Sequence, residues 1–263
     1  MTLQAMIYSM NWKTAVYTSD KDELFYSKID DAVTLCYTRQ KPYFFPFLSE
    51  RRQAIAEKYL KSICFENFCF FGGCENNERK MLALCYDEIK PGFPVSALEF
   101  RYRNCDKLTH RDFLGALMSL GIERETVGDI LVEDGRTIVF IKSELKDYIV
   151  SQISKIGNVG VKISDADLSK LPKGRGTEDL SLVVSSLRLD NIVAAVTGLS
   201  REKTKSLIFA GNVSLNYIQT MNVSQLVAEG DVLIIRGKGK YILNAVMGET
   251  KKGRIRISLI HFR

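Results

Sequence analysis

Arg201 and Lys205 stand four residues apart in the run "GLSREKTKSLIFAG", directly behind Ser200. At helical spacing, two cations four apart project from one face. Ser200 is of the type that caps a helix start, where free amides and the positive end of the dipole favour an anion. Upstream, Arg188 precedes a second helical pattern in "LRLDNIVAAVTG". Downstream, Arg236, Lys238 and Lys240 alternate in "IIRGKGKYIL", which is expected to line them along one side of an extended chain. The chemistry this set suits is phosphate recognition; it offers no nucleophile or acid–base pair. The plain alternative is a packed helical hairpin with ordinary solvated lysines.

Charge distribution favours the anion reading. Residues 181–263 carry 12 Lys or Arg against 5 Asp or Glu, a balance of +7, while the whole chain is only +6. The excess positive charge therefore sits in the last third, as a polyanion-binding segment requires.

Two helices must position these groups. Leu189, Ile192, Val193 and Val196 form an apolar stripe at helical intervals, and Gly198 can end that helix in a left-handed conformation. Ser200 starts the next, with Thr204, Leu207 and Ile208 facing inward and Gly211 closing it. "VSLNY" then begins a strand, and "EGDVLIIRGKGKYILNAV" gives a Gly-Asp turn followed by a strand.

The rest of the chain divides by pattern. Residues 1–90 read as a helical region with a hairpin. "DELFYSKIDDAVTLCYTRQ" is one helix, "PYFFPF" interrupts, and Ser49 caps "ERRQAIAEKYLKSI". "FENFCFFGG" and "RKMLALCY" pair as strands. Residues 91–165 read β-α-β-β-α-β, a ferredoxin-like plait resembling an RNA-recognition motif. Its first helix is capped by Thr109 with Asp112 and ended by Gly121; its second is expected to run from a Ser143 cap to Gly157, before a final strand "VGVKI". Leu98, Phe100 and Tyr102 should face the helices, leaving Glu99, Arg101 and Arg103 outside for phosphate contacts or a domain interface. The strand "RTIVFIK" lacks the glycine–aromatic run of base-stacking versions. Residues 166–180, with Pro172, Gly174 and Gly176, read as a linker in which Lys173 and Arg175 could touch an anion. The remaining domain spans 181–263, and the fold class expected is α+β.

Other function classes find little support. No apolar run reaches the ~18 residues a membrane helix needs, and the N-terminus lacks a secretory pattern. Six cysteines without a C-x-x-C pair suit a reducing cytoplasm, and Cys64, Cys69 and Cys74 are spaced too widely for typical zinc ligands. Asp190 in "LRLDN" could be read as the catalytic aspartate of a pseudouridine synthase, but no large catalytic domain surrounds it. "FFGGCE" and "IGNVGV" are weak candidates for a methyltransferase turn, and no P-loop is present.

Arg188-Leu189-Asp190, Ser200-Arg201, Leu207-Ile208, Gly211, Val213, Asn216 and Gly230-Asp231 together resemble the S4 (αL) RNA-binding domain. "FFGGCENNERK" and "HRDFLGALMSLGIERETVGDILVEDGR" resemble signature segments of YlmH-type proteins, bacterial S4-domain proteins of cell-division gene neighbourhoods. The first dozen residues match nothing. The resemblance implies a non-enzymatic, cofactor-free monomer that binds structured RNA (rRNA or tRNA) and large ribosomal subunits holding peptidyl-tRNA, in rescue of stalled translation. It implies an RNA-binding set of Arg188, Ser200, Arg201, Lys205, Asn216, Arg236, Lys238 and Lys240, with Asp190 orienting a neighbouring arginine or capping the fold. The alternatives are an RNA-modifying enzyme with an S4 targeting domain and a cell-division scaffold.

Overall fold

The computed structural model describes residues 20–87, 91–172, 177–250 and 253–262. The chain divides into two compact units, 1–172 and 173–263. It is α+β, with helices and antiparallel sheets in both.

The first unit begins with α1 (Asp20–Arg39), β1 (Tyr43–Leu48), α2 (Glu50–Ser62), β2 (Phe68–Phe71) and β3 (Lys80–Leu84). Ser49 caps α2 by accepting the Arg52 amide. The "PYFFPF" run was expected only to interrupt; it forms the edge strand β1 of a sheet ordered β1-β3-β2. Pro46 falls in a register shift between Phe44 and Phe47, the kind of edge bulge that tolerates a residue without an amide proton.

The plait follows as β4 (Val95–Arg101), α3 (His110–Ser119), β5 (Val127–Glu133), β6 (Arg136–Lys142), α4 (Lys146–Gln152) and β9 (Lys162–Asp165). A small hairpin, β7 (Lys155–Ile156) and β8 (Val159–Gly160), precedes β9. The sheet order β5-β6-β4-β9 is that of the split βαβ plait. At the start of α3 the Asp112 carboxylate accepts both the Thr109 amide and its hydroxyl. Ser143 does not cap α4. Residues Ser143–Leu145 form a 3-10 turn, and the Ser143 hydroxyl accepts from Ser96. Gly157 turns the β7–β8 hairpin with φ +56° and does not close the helix. The expected strand "VGVKI" is therefore split between β8 and β9.

Leu98 and Phe100 pack with Phe113, Leu117, Val139, Ile141 and Ile149 beneath the helices. The other side of this sheet is not the charged, open surface that remained possible from sequence. Ile138 and Phe140 are buried there against Phe47 of β1 and Met81 of β3, so the two sheets pack face to face. Glu99 is 4% exposed and paired with Arg101 and, at 3.3 Å, with Arg136. "TIVFI" is apolar at consecutive positions, which suits a strand buried on both faces.

Two glycines, Gly128 and Gly73, permit this approach, and Gly72 lets the β2–β3 connection close on itself. A Cβ on Gly128 would lie 2.8 Å from the Phe47 ring and 3.0 Å from Phe140 Cβ. One on Gly73, at φ +101°, would overlap the Phe140 ring, and one on Gly72 would overlap the Arg79 carbonyl. Gly73 of "FFGGCE" thus serves the packing between the sheets. Asp129 accepts the Glu78 and Arg79 amides, and the Arg79 guanidinium donates to the Val127 and Phe47 carbonyls, so the contact is hydrogen-bonded as well as apolar. Ala166 and Leu171, expected in the linker, pack at its margin. Lys173 to Gly176 lie outside the described residues, and Thr177 already begins a strand of the second unit.

The second unit comprises β10 (Thr177–Val184), α5 (Leu189–Thr197), α6 (Arg201–Phe209), β11 (Val213–Leu215), β12 (Ile218–Gln219), β13 (Val232–Ile235), β14 (Gly239–Glu249) and β15 (Ile255–Phe262). Its antiparallel sheet runs β10-β15-β14-β13-β11-β12. Leu189, Ile192, Val193 and Ile208 from the helices are buried against Leu215, Leu233, Tyr241, Leu243 and Leu259 from one sheet face. Gly198 ends α5 at φ +69°, in the left-handed conformation its position calls for.

Candidate nucleic-acid interface

The two helix starts in this unit differ. The Leu189 and Asp190 amides at the beginning of α5 donate to the Gln225 and Val223 carbonyls at 2.8 and 3.1 Å, so that end is closed by the chain itself. At α6, Ser200 Oγ accepts the Lys203 amide at 3.4 Å. The Arg201 and Glu202 amides, in the first turn, have no intrahelical acceptor, the condition that favours an anion at a helix start.

Arg201, Lys205 and Phe209 follow at intervals of four and form one ridge of α6 beside its buried stripe of Thr204 and Ile208. Phe209 is 57% exposed. Among the described residues no carboxylate pairs with Arg201 or Lys205. The plait contrasts with this: Arg103, Lys107, Lys142 and Lys146 are each paired with an Asp or Glu.

Arg188 is held at the front of α5. Its Nε and Nη2 donate to the two Asp190 oxygens at 3.0 and 2.9 Å, and Asp190 is 3% exposed. Those hydrogen bonds hold the Asp190 carboxyl below the usual carboxylate range against the opposing effect of burial, and the Arg201 charge adds to the pull. One carboxylate thus sits in the field of both arginines. Asp190 thus holds the Arg188 guanidinium in place at the front of α5.

Two predictions arise from these helices. A carboxylate with a depressed folded pKa stabilises above its unfolded value, near ~4, and that stability is lost as pH falls through the folded value. Asp190→Asn should therefore lower the thermal midpoint at neutral pH and show a shallower loss between about pH 5 and pH 2. Equal acid profiles for the two proteins would contradict the assignment. Separately, the Thr204 hydroxyl is buried with no hydrogen-bond partner among the described residues. Thr204→Val keeps the shape and removes an unpaired polar group, so calorimetry should find stabilisation of about 1 kcal/mol. A lower midpoint would mean the hydroxyl has a partner.

The downstream cations do not line one strand. Arg236 and Lys238 lie in the turn between β13 and β14, around Gly237 at φ +76°. The Arg236 amide donates to the Asn212 carbonyl at 2.9 Å, which ties this exposed turn to the loop just after α6. Lys240 is on β14, on the sheet side opposite buried Tyr241, and so faces away from the helices. Asn216 is engaged in the turn after β11: its amide nitrogen donates to Asp231 at 2.8 Å and its oxygen accepts the Val232 amide at 2.9 Å. The set proposed from sequence therefore separates. Arg188, Ser200, Arg201 and Lys205 gather at the helices, Arg236 and Lys238 stand beyond the end of α6, and Asn216 shapes a turn. Phe209 was missed, although its spacing of eight from Arg201 was the available signal.

Comparison with known proteins decides the family. A family model described as the putative RNA-binding domain in YlmH matches residues 90–170. The ribosome-associated protein quality control protein P2 of Bacillus subtilis (strain 168) is 33% identical over 219 residues, covering 81% of this chain and 84% of that protein. The chain belongs to the YlmH family. The solved structure of cell division protein ylmH from Streptococcus pneumoniae has the same fold over 60% of this chain and 99% of that one, with a TM-score of 0.52 and 24% identity. In this YlmH-family chain the matched segment 90–170 contains the plait, the same sheet whose outer side is covered by β1 and β3.

Proposed function

We propose that this chain is a non-enzymatic, cytoplasmic RNA-binding protein whose C-terminal unit is an S4 domain. It recognises phosphates of structured rRNA or tRNA, on large ribosomal subunits that hold peptidyl-tRNA. The observation that carries the reading is the α6 ridge: two cations with no carboxylate partner among the described residues and an exposed aromatic, beginning at a helix start and flanked by Arg188. Phosphate oxygens take the place of missing carboxylates there, and Phe209 offers a face to a sugar or base. The relative's name, which refers to ribosome-associated quality control, and the description of the matched segment as RNA-binding support the partner class.

The plait serves this function without base stacking on its sheet, because a packed sheet face cannot admit a nucleobase. Contacts by this unit are left to its loops and helices. The test is titration of the full chain with large ribosomal subunits and with rRNA fragments, followed by mass analysis of the recovered nucleosides. Saturable binding with unaltered nucleosides is expected. Modified nucleosides would replace this reading with that of an RNA-modifying enzyme, and absence of RNA binding would leave the scaffold.

A further inference from the structure

We propose that Leu226 is a further RNA contact of the C-terminal unit, an apolar prop beside Arg188 against which one unstacked nucleobase packs. This contact rests on the RNA-binding reading and extends it from phosphates to a base.

Leu226 is 72% exposed, more than any other large apolar side chain among the described residues. A single exposed leucine is ordinary on a protein surface. This one, however, is held in place on both sides. The Leu189 amide donates to the Gln225 carbonyl at 2.8 Å, and the Val227 amide donates to the Leu187 carbonyl at 2.9 Å. The Asp190 amide donates to the Val223 carbonyl at 3.1 Å, and the Thr220 hydroxyl donates to the Gln225 side chain at 2.8 Å. Val227 is buried in the core with Leu189 and Ile192. Neighbouring side chains of an extended segment point opposite ways, so the inward Val227 fixes Leu226 outward.

Arg188 stands directly opposite. It forms an isolated antiparallel bridge with Leu226. The two amide bonds that flank this pair join Leu189 to Gln225 and Val227 to Leu187. Arg188 and Leu226 are therefore a non-hydrogen-bonded pair, the kind in which opposed side chains lie closest. The Arg188 guanidinium gives Nε and Nη2 to Asp190, while its Nη1 has no hydrogen-bond partner among the described residues. Asp190 contributes one negative charge against Arg188 and Arg201, both of which act on it. This rim thus combines a rigidly displayed apolar side chain with a surplus of positive charge.

A nucleotide matches both properties. Its phosphate meets the surplus charge, and its base covers the leucine. An apolar protein segment would cover Leu226 but leave the surplus charge desolvated. Within an RNA helix the base faces are stacked on one another, and the wide minor groove presents 2′-hydroxyls and base edges. A leucine gains little from either, so the ligand is a bulged, looped or terminal nucleotide.

The test uses the full chain and two RNA hairpins of equal length, one fully paired and one with a single 2-aminopurine bulge. The wild-type protein should prefer the bulged hairpin about fivefold, the scale expected when a few apolar carbons gain a covering surface, and change the 2-aminopurine fluorescence. Leu226→Ala keeps every backbone bond of the segment and should leave the thermal midpoint unchanged. It should abolish the preference without altering affinity for the paired hairpin or the slope of log K against log salt, because no phosphate contact is lost. Leu226→Met, which keeps an apolar side chain of similar volume, should keep the preference. A Leu226→Ala protein that still prefers the bulge, or that weakens on both hairpins alike, overturns the proposal. Equal wild-type affinity for both hairpins overturns it while leaving phosphate recognition standing. Binding to neither removes the proposal together with the reading on which it rests.

Discussion

Replacing Arg201 and Lys205 together with alanine is expected to weaken binding to structured RNA about tenfold with only a small change in the thermal midpoint of the chain. Each phosphate contact contributes on the order of 0.5–1 kcal/mol at moderate salt, and two lost contacts approach the 1.4 kcal/mol of a tenfold change. Neither side chain is ion-paired with a carboxylate among the described residues, and Asp190 keeps its hydrogen bonds to Arg188 when the weaker pull of Arg201 is lost, so stability should fall only slightly. Arg188→Ala is a different experiment, because it leaves the buried Asp190 carboxylate without its guanidinium. A fall in both affinity and stability is expected there. The double variant is therefore the cleaner probe, measured by filter binding and by calorimetry on the same preparations.

The second large effect is expected far from those cations. Gly73→Ala should destabilise the first unit by about 3 kcal/mol or more, from a side chain forced into φ +101° and from overlap with the Phe140 ring. Phe140 cannot move aside freely, since it is fully buried between Phe47, Met81 and Ile138. The readout is a lowered unfolding midpoint of the full chain, with Gly115→Ala as control. Gly115 lies in α3 with nothing within 4 Å of an added Cβ, and alanine there should be neutral or stabilising. Equal behaviour of the two variants would mean that the face-to-face packing of the sheets does not hold in solution.

Local signals made much of this molecule legible in its sequence. The Ser49, Thr109 and Ser200 caps and the left-handed Gly198 mark helix ends within a residue or two, because each satisfies or releases backbone groups near in the chain. The plait order was readable for the same reason. Elements that depend on distant partners were not. Pro46 hid β1, whose place as an edge strand is set by pairing with β3. The covered plait sheet required reading "TIVFI" as apolar on two faces and Gly73 as room for Phe140.

The candidate site divides along the same line. Arg201 and Lys205 on one helix face follow from spacing within a helix, and the pairing of Asp190 with an arginine from the S4 resemblance. The "RGKGK" run did not follow, since alternation was taken for strand geometry. Gly237 and Gly239, at φ +76° and +112°, instead make Arg236–Lys238 a turn. That leaves Lys240 on the sheet side away from the helices, beside Tyr217 and Phe262. Two glycines flanking a lysine were the signal for that turn.

The salt dependence of RNA affinity tests the central claim most directly. For the full chain and one structured RNA, log K against log salt concentration should fall steeply for the wild type. For Arg201→Ala with Lys205→Ala the slope should be shallower by about 1.4 to 1.8, since each neutralised phosphate accounts for roughly 0.7 to 0.9. Parallel lines of equal affinity would show that the α6 ridge does not meet phosphate.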